Sequence, residues 1–394
     1  VTVNNVAPVL GDLYAAAIDE NGTTTLTGTI TDPGTVDTFV LVVNWGDPLS
    51  PNNEETYTFA AGTKSLDLTH QYLDDNPSGT ASDLYTIGLK ITDDDTGTDE
   101  AEGAVTVSNV APEITGLTVE PAIISENEVI VVFGTFMDVG TLDTHTVSID
   151  WGDGAVTAAT VDQAARSFTA SHQYLDDDPT GTAFDIYTIK AAVADDDLGT
   201  DTAETDVTVN NVAPVLGGLK ATTIEEDGCT TLTGTITDPG ALDTFTLAVN
   251  WGDPLSPKNV ETYTFAAGTK SFELTHKYLD DNPSRTAWDQ YTIGLTITDD
   301  DTGSSSGSTT VRVNNVAPVI TCLTTSADEV GDAKEGEKVW ISASFKDVGK
   351  LDTHTAVIDW GDGTASAGQV TKSCGGSSIS GSHVYKWGGV YEIK

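Results

Sequence analysis

The sequence predicts an all-β chain of tandem antiparallel β-sandwiches in an elongated array, and three observations carry that prediction. One phrase, Asn-Val-Ala-Pro, returns four times at nearly constant spacing. Apolar residues alternate with polar ones, the signature of half-buried strands. Turn-forming residues interrupt the pattern about every 8–12 positions.

The repeat sets the organisation. Asn4-Asn5-Val6-Ala7-Pro8 recurs as Ser108-Asn109-Val110-Ala111-Pro112, Asn210-Asn211-Val212-Ala213-Pro214 and Asn314-Asn315-Val316-Ala317-Pro318, the prolines lying 104, 102 and 104 residues apart. A Trp-Gly-Asp follows each, at Trp45, Trp151, Trp251 and Trp360, and then a His-x-Tyr at His70, His172, His276 and His383. Asp-Asp-Asp-x-Gly closes the first three units at Asp93, Asp195 and Asp299. The predicted modules are therefore 4–108, 109–210, 211–314 and 315–394. Units one and three share Trp-Gly-Asp-Pro-Leu-Ser-Pro, units two and four Ile-Asp-Trp-Gly-Asp-Gly, so the period is two modules and pair duplication within a longer array is expected.

Within a unit, runs such as Thr86-Ile87-Gly88-Leu89-Lys90-Ile91 and Tyr187-Thr188-Ile189-Lys190-Ala191-Ala192-Val193 alternate with period two. About seven such strands in roughly 100 residues fit a seven-stranded immunoglobulin-like sandwich, without the cysteine pair of immunoglobulin domains. No segment reads as a long helix. Val1-Thr2-Val3 matches Val105-Thr106-Val107 and is expected to be the last strand of a preceding module. Tyr391-Glu392-Ile393-Lys394 aligns with Tyr291-Thr292-Ile293-Gly294, so the fourth unit is expected to lack the counterpart of residues 295–313. A fragment explains both ends; strand donation between subunits of a filament is the alternative.

Composition bounds the function. The 394 residues carry 61 Asp plus Glu against 17 Lys plus Arg, a net charge of −44, which excludes a phosphate backbone as the main partner. Of the acids 43 are Asp, the residue of turns and of hard-cation ligation rather than of helices. With 38% hydrophobic residues the chain can still bury a core, and its length allows two to four domains at roughly 100–200 residues each. No apolar run is long enough to span a bilayer. Cys229, Cys322 and Cys374 are too few for a disulfide framework; Cys322 could pair with Cys374 inside the fourth unit, or with Cys229 across a junction.

Trp151-Gly152-Asp153-Gly154, His172-x-Tyr174, the Tyr187-x-Ile189 strand and the Asp195-Asp196-Asp197-x-Gly199 turn together resemble a PKD (polycystic-kidney-disease-type) domain, and the resemblance covers essentially the whole chain as tandem copies. It implies an immunoglobulin-like fold, an extracellular or cell-surface location, and a spacer or adhesion role rather than catalysis; several bacterial modules of this kind bind calcium. Units one and three depart from the motif at Pro48 and Pro254, where a longer loop must replace the tight glycine turn.

Strand order assigns the acids to poles. The top of unit two should gather Asn109, Asp138, Asp143 and Asp195, Asp196 and Asp197. The equivalents are Asn5, Asp32, Asp37, Asp93, Asp94 and Asp95 in unit one, and Asn211, Asp238, Asp243, Asp299, Asp300 and Asp301 in unit three. Unit four keeps Asn315, Asp347 and Asp352. Lys and Arg are scarce nearby, so calcium is the expected counter-charge, the alternative being aspartates that only cap turns and solvate the surface. The opposite pole, with Asp19-Glu20-Asn21-Gly22, Asp47 and Leu73-Asp74-Asp75-Asn76-Pro77, is acidic too. Each acidic bottom should face the acidic top of the next unit across a short linker, where calcium would bridge like charges.

A histidine repeated in every unit reads as structural, and His145 and His354 stand where units one and three carry Phe39 and Phe245, which argues for packing rather than metal ligation. Each Trp-Gly-Asp tryptophan should fill an inter-sheet core. Trp288, Trp340 and Trp387 are unrepeated and could stack on sugars, and Asn21-Gly22-Thr23 is an N-glycosylation triplet. No catalytic motif is present. Glycoside hydrolysis would need a cleft and one raised carboxyl pKa, which solvated acidic turns do not offer. The expected function is a calcium-stabilised extracellular stalk, surface layer or filament, with copies of itself or neighbouring modules of a longer chain as partners and surface glycans or proteins as further ones. The rival is a carbohydrate- or protein-binding accessory region of a secreted hydrolase.

Overall fold

The computed structural model describes residues 1–282, 284–327, 333–373 and 376–394. All of its regular structure among these is strand. Two compact units form, one of Val1–Asp177 with Phe184–Asn210, the other of Asp178–Ala183 with Asn211–Lys394.

The first repeat shows the plan. Its strands are β1 (Val9–Ala15), β2 (Ile18–Asp19), β3 (Thr23–Thr31), β4 (Phe39–Asn44), β5 (Glu54–Phe59), β6 (Ser65–Gln71), β7 (Ser82–Asp93) and β8 (Thr98–Ser108). They make a three-stranded sheet, β1-β3-β6, and a five-stranded sheet, β2-β8-β7-β4-β5. The period-two pattern decides which face goes inward: Phe39, Leu41 and Val43 of β4 and Ile87, Leu89 and Ile91 of β7 are buried, while their neighbours alternate outward. These side chains meet Leu26, Ile30, Leu66 and Leu68 of the facing sheet around Trp45. Fully burying one such aliphatic chain contributes about 1.5–3 kcal/mol.

One detail departs from a purely antiparallel reading. The first strand changes sheets after Ala15, so that β1 pairs antiparallel with β3 while β2 runs parallel to β8. The second and third repeats do the same, Ile123–Ser125 lying parallel to Thr208–Asn210 and Ile224–Glu225 to Val313–Asn314. The crossing delivers Glu20, just beyond β2, to the end of the sandwich where the chain leaves for the next repeat.

The second and third repeats gather cores of their own around Trp151 and Trp251. In the fourth, a smaller core forms around Trp360, and Ala365–Ser373 pairs first with Ala356–Asp359 and then with Gly376–Val384, which joins its strands into one connected sheet. Asp359 and Lys394 exchange two backbone hydrogen bonds beside it. Val1 and Val3 lie outside the strands and are exposed. The prolines of repeats one and three do sit in longer connections: nine residues separate Asn44 from Glu54, in which the Asp47 N–H donates to Asn53 Oδ1.

The repeated aromatic motif is a structural unit. The tryptophans at 45, 151, 251 and 360 are fully buried and stack on the histidine of His-x-Tyr at centroid distances of 4.8, 4.8, 4.7 and 5.0 Å. The histidine in turn meets the aspartate of Trp-Gly-Asp, 2.6 Å apart for His172 and Asp153. The tyrosine hydroxyl donates to the tryptophan carbonyl, at 2.7 Å for Tyr174 and Trp151. Gly46 holds a φ of +73°, and a Cβ there would lie 2.3 Å from the Thr86 carbonyl oxygen, so only glycine closes this corner. Alternation reaches the indole as well: Trp45 and Trp251 donate to Glu55 and Glu261, Trp151 and Trp360 to Thr157 and Ser366. Tyr174→Phe keeps the ring and removes only the hydroxyl bond, leaving the Trp151 carbonyl oxygen buried. Denaturant unfolding should show a loss of about 1–3 kcal/mol. A change below about 0.3 kcal/mol would mean that the bond contributes nothing.

Candidate cation sites between and within repeats

The linker between the first two repeats is fastened at successive residues. The Glu20 N–H donates to the Ser108 carbonyl, the Asn109 N–H to the Ala81 carbonyl, and the Val110 N–H to Glu20 Oε1 at 2.8 Å. The B–C loop of the second repeat, between its second and third long strands, closes on the same place, with the Thr141 N–H reaching the Leu73 carbonyl. These bonds bring the acidic bottom of one sandwich against the acidic top of the next.

Carboxylates from both sides converge there. Oxygens of Glu20, Asp74 and Asp143 lie within 4.8 Å of one another. All three residues are buried, as is the neighbouring Asp75, which has no exposed surface. Glu20 Oε2, Asp74 Oδ1 and both side-chain oxygens of Asp75 and of Asp143 are buried without a hydrogen-bond partner. Such groups are costly to bury ionised unless something positive compensates them. The electrostatics report the same conflict. Burial, reinforced by Asp143, Asp138 and Asp75, pushes the Glu20 carboxyl up to about 8 against the Val110 N–H, which favours its anion. Burial and Asp197 take Asp75 to about 7, burial and Asp138 take Asp143 to about 7, and burial and Asp196 take Asp197 to about 6.

The second unit repeats the construction between the third and fourth repeats. The Val316 N–H donates to Glu226 Oε1 at 2.8 Å, and the Leu351 N–H to Asp280 Oδ2 at 2.5 Å. Ligand atoms of Glu226, Asp280, Asp281 and Asp352 lie within 4.8 Å of one another. Glu226 Oε2 and Asp281 Oδ2 are buried without a partner, and burial raises Glu226 to about 7 and Asp281 to about 6.

Six carboxylates of these clusters, Glu20, Asp74, Asp75, Glu226, Asp280 and Asp281, are absent from the ligand set expected from sequence. Their signal in the sequence is the acidic pole that faces the next unit. The expected residues divide by role. The first Asp of each triplet binds the linker: Asn5, Asn109 and Asn211 donate from Nδ2 to Asp93, Asp195 and Asp299 at 2.9–3.0 Å. The second turns outward and caps the B–C loop, Asp94, Asp196 and Asp300 accepting from the N–H of Thr38, Thr144 and Thr244. The third is exposed in Asp95 and buried in Asp197 and Asp301. Asp32, Asp37 and Asp93 form one group of nearby ligand atoms, Asp138 and Asp143 another with His145, and Asp347 and Asp352 a third with His354. Asp238 accepts from the Gly240 N–H, Asp243 is buried and Asn315 is exposed.

The acidic turns are therefore not simply solvated: burial and like-charged neighbours push several of their carboxyls up. They do not make a catalytic acid. Glu20 and Asp75 are sealed between sandwiches at 3% and 0% exposure, out of reach of a substrate. Of the unrepeated tryptophans, Trp288 carries the Arg312 guanidinium over its ring at 4.5 Å and Trp340 the Lys338 ammonium at 4.7 Å, so one face of each is taken; Trp387 is exposed. Cys229 and Cys322 are free and exposed, and Cys374 lies outside the described residues. Among the described residues no helix is long and apolar enough to cross a membrane.

No family model and no curated protein matches the sequence. Among solved structures the chain is similar to a tetra-tandem repeat in the extending region of a large adhesion protein, with 19% identity over 94% of this chain and 90% of that one at a TM-score of 0.41. It is also similar to the human desmocollin-1 ectodomain, with 15% identity over 95% of this chain and 73% of that one at a TM-score of 0.25.

Proposed function

We propose that the chain is an extracellular structural repeat region of PKD-like modules, a stalk, surface layer or filament segment with an adhesive role, whose junctions are stiffened by calcium. The observation that carries this reading is the pair of carboxylate clusters where one repeat meets the next, Glu20, Asp74, Asp75 and Asp143 in one unit and Glu226, Asp280, Asp281 and Asp352 in the other, each holding buried oxygens without a hydrogen-bond partner. Calcium suits them because it takes six to eight oxygens, accepts several carboxylates at once and tolerates irregular geometry. The linker bonds already remove hinge freedom, and an ion joining carboxylates from both sides would convert a repulsive contact into a stiff one. Arrays of this kind turn the stability of each repeat into reach.

Small-angle scattering of the whole chain in calcium and in chelator tests the reading, with calorimetric titration of calcium alongside. Calcium should bind with micromolar or tighter affinity, and the chelated protein should show a broader distribution of inter-repeat distances. Superimposable scattering curves, with no heat of calcium binding, would falsify the proposal.

A further inference from the structure

The B–C loop opens the same way in every repeat. The backbone N–H of Gly34, Gly140, Gly240 and Gly349 donates to Oδ1 of Asp32, Asp138, Asp238 and Asp347. What meets the second oxygen differs with the residue seven positions after that aspartate, at or just before the start of the following strand. In the second repeat His145 Nε2 lies 2.7 Å from Asp138 Oδ2, both side chains fully buried; in the fourth His354 Nε2 lies 2.5 Å from Asp347 Oδ2. In the first repeat the position is held by Phe39, and Asp32 Oδ2 is buried with no hydrogen-bond partner. Asp37, at 8% exposure, makes no hydrogen bond either, and its ligand atom lies within 4.8 Å of those of Asp32 and Asp93.

Two groups meet His145 Nδ1: Arg166 Nη1 at 2.6 Å, which only donates, and Gln163 Oε1 at 3.2 Å. The shorter contact, with Arg166, suits Nδ1 as the acceptor and Nε2 as the donor toward Asp138. Arg166 brings a positive charge into this corner and also donates to the Gly140 carbonyl at 2.9 Å. In the fourth repeat Lys372 donates to the Asp352 carbonyl in the same corner. The first repeat has Lys64 at the position of Arg166, exposed and in no ion pair among the described residues.

We infer that the residue at this position selects the counter-charge of the corner: with Phe39 the Asp32, Asp37 and Asp93 group of the first repeat binds a divalent cation of its own, whereas His145 and His354 supply a built-in N–H donor beside Arg166 or Lys372 and make that ion unnecessary. The difference between repeat types thus becomes a difference in what meets that second aspartate oxygen, a cation in the first repeat and a histidine in the second and fourth. The ion's identity as calcium rests on the reading above; the exchange of donor for cation does not. The histidines do pack as the sequence suggested, on Phe136 and Phe345 at 4.7 and 4.8 Å, but packing is only half of their role.

The test compares the whole chain with Phe39→His, Asp32→Asn and His145→Phe, by calcium stoichiometry in equilibrium dialysis and by melting in chelator. Phe39→His and Asp32→Asn should each bind one calcium ion fewer than the unmodified chain, leaving binding at the junctions unchanged. In chelator Phe39→His should raise the melting temperature of its sandwich by roughly 3–8 °C, because Asp32 Oδ2 gains a donor, and His145→Phe should lower it in the second repeat. If the unmodified chain binds no calcium, the calcium reading fails while the melting comparison still decides the exchange. Phe39→His with unchanged stoichiometry and unchanged melting in chelator overturns the inference, whether or not His145→Phe folds.

Discussion

Stripped of divalent cations, the protein should lose stability as the pH rises from about 5 to about 8, and should regain it when calcium is added. The cause is the set of carboxyls that burial and like-charged neighbours hold high: Glu20 at about 8, Asp75 and Asp143 at about 7, and Glu226 at about 7. In the unfolded chain the same groups ionise near pH 4. Between those limits the folded state binds more protons than the unfolded one, so unfolding releases protons and rising pH favours it. The penalty is absent below the unfolded values and complete above the folded ones, where it reaches on the order of several kcal/mol for each cluster. This is the reverse of ordinary acid denaturation, in which paired carboxylates lose their partners as pH falls. Calcium displaces the same protons, so its binding should strengthen with pH and release protons to the buffer. Melting curves at pH 5, 6.5 and 8, in chelator and in calcium, measure both effects. A cation-free melting temperature that is flat or rising over that range would show that the clusters are solvated or otherwise compensated.

The parts of this arrangement that were legible in the sequence are those fixed by covalent spacing. His70 could be read as structural because a histidine returns at the same place in each repeat, and strand periodicity placed Trp45 inside; that the two stack on each other and that Tyr72 bonds the Trp45 carbonyl could not. The poles were legible as well, since strand direction dictates which turns share an end. What spacing does not contain is side-chain direction within a turn. Asp93, Asp94 and Asp95 are equivalent as letters, yet the first reaches back to Asn5, the second caps Thr38 and the third faces solvent. Nor could spacing show that both oxygens of Asp138 already have donors in Gly140 and His145, because that pairing depends on the loop folding back over seven residues. The switch of the first strand between sheets was likewise hidden, since Ala15, Ala16 and Ala17 link β1 to Ile18 with no polar or turn-forming break; yet that switch carries Glu20 into the junction.

Gly140→Ala should weaken calcium binding at the first junction by roughly 10–100-fold while leaving the second repeat folded. Gly140 is not in the left-handed region, so the backbone accepts alanine; the space does not. A Cβ there would lie 2.3 Å from Glu20 Oε2 and 2.4 and 2.5 Å from the two oxygens of Asp143. Those oxygens end flexible side chains, so they would swing apart rather than break the fold, and their separation is what a shared ion cannot tolerate. In chelator the same displacement relieves repulsion between bare carboxylates, so the variant should melt no lower than the unmodified chain. Gly349 is built alike, its Cβ position 2.5 Å from Glu226 Oε2 and 2.6 Å from Asp352 Oδ2, so Gly349→Ala should act the same way in the other unit. Gly88→Ala is the control, because its nearest neighbours, both atoms of Asn44, lie 4.0 Å away. Calorimetric titration of the three variants separates the cases. If Gly140→Ala binds as tightly as Gly88→Ala, no ion is shared between Glu20 and Asp143, and the junction must be held by its linker hydrogen bonds alone.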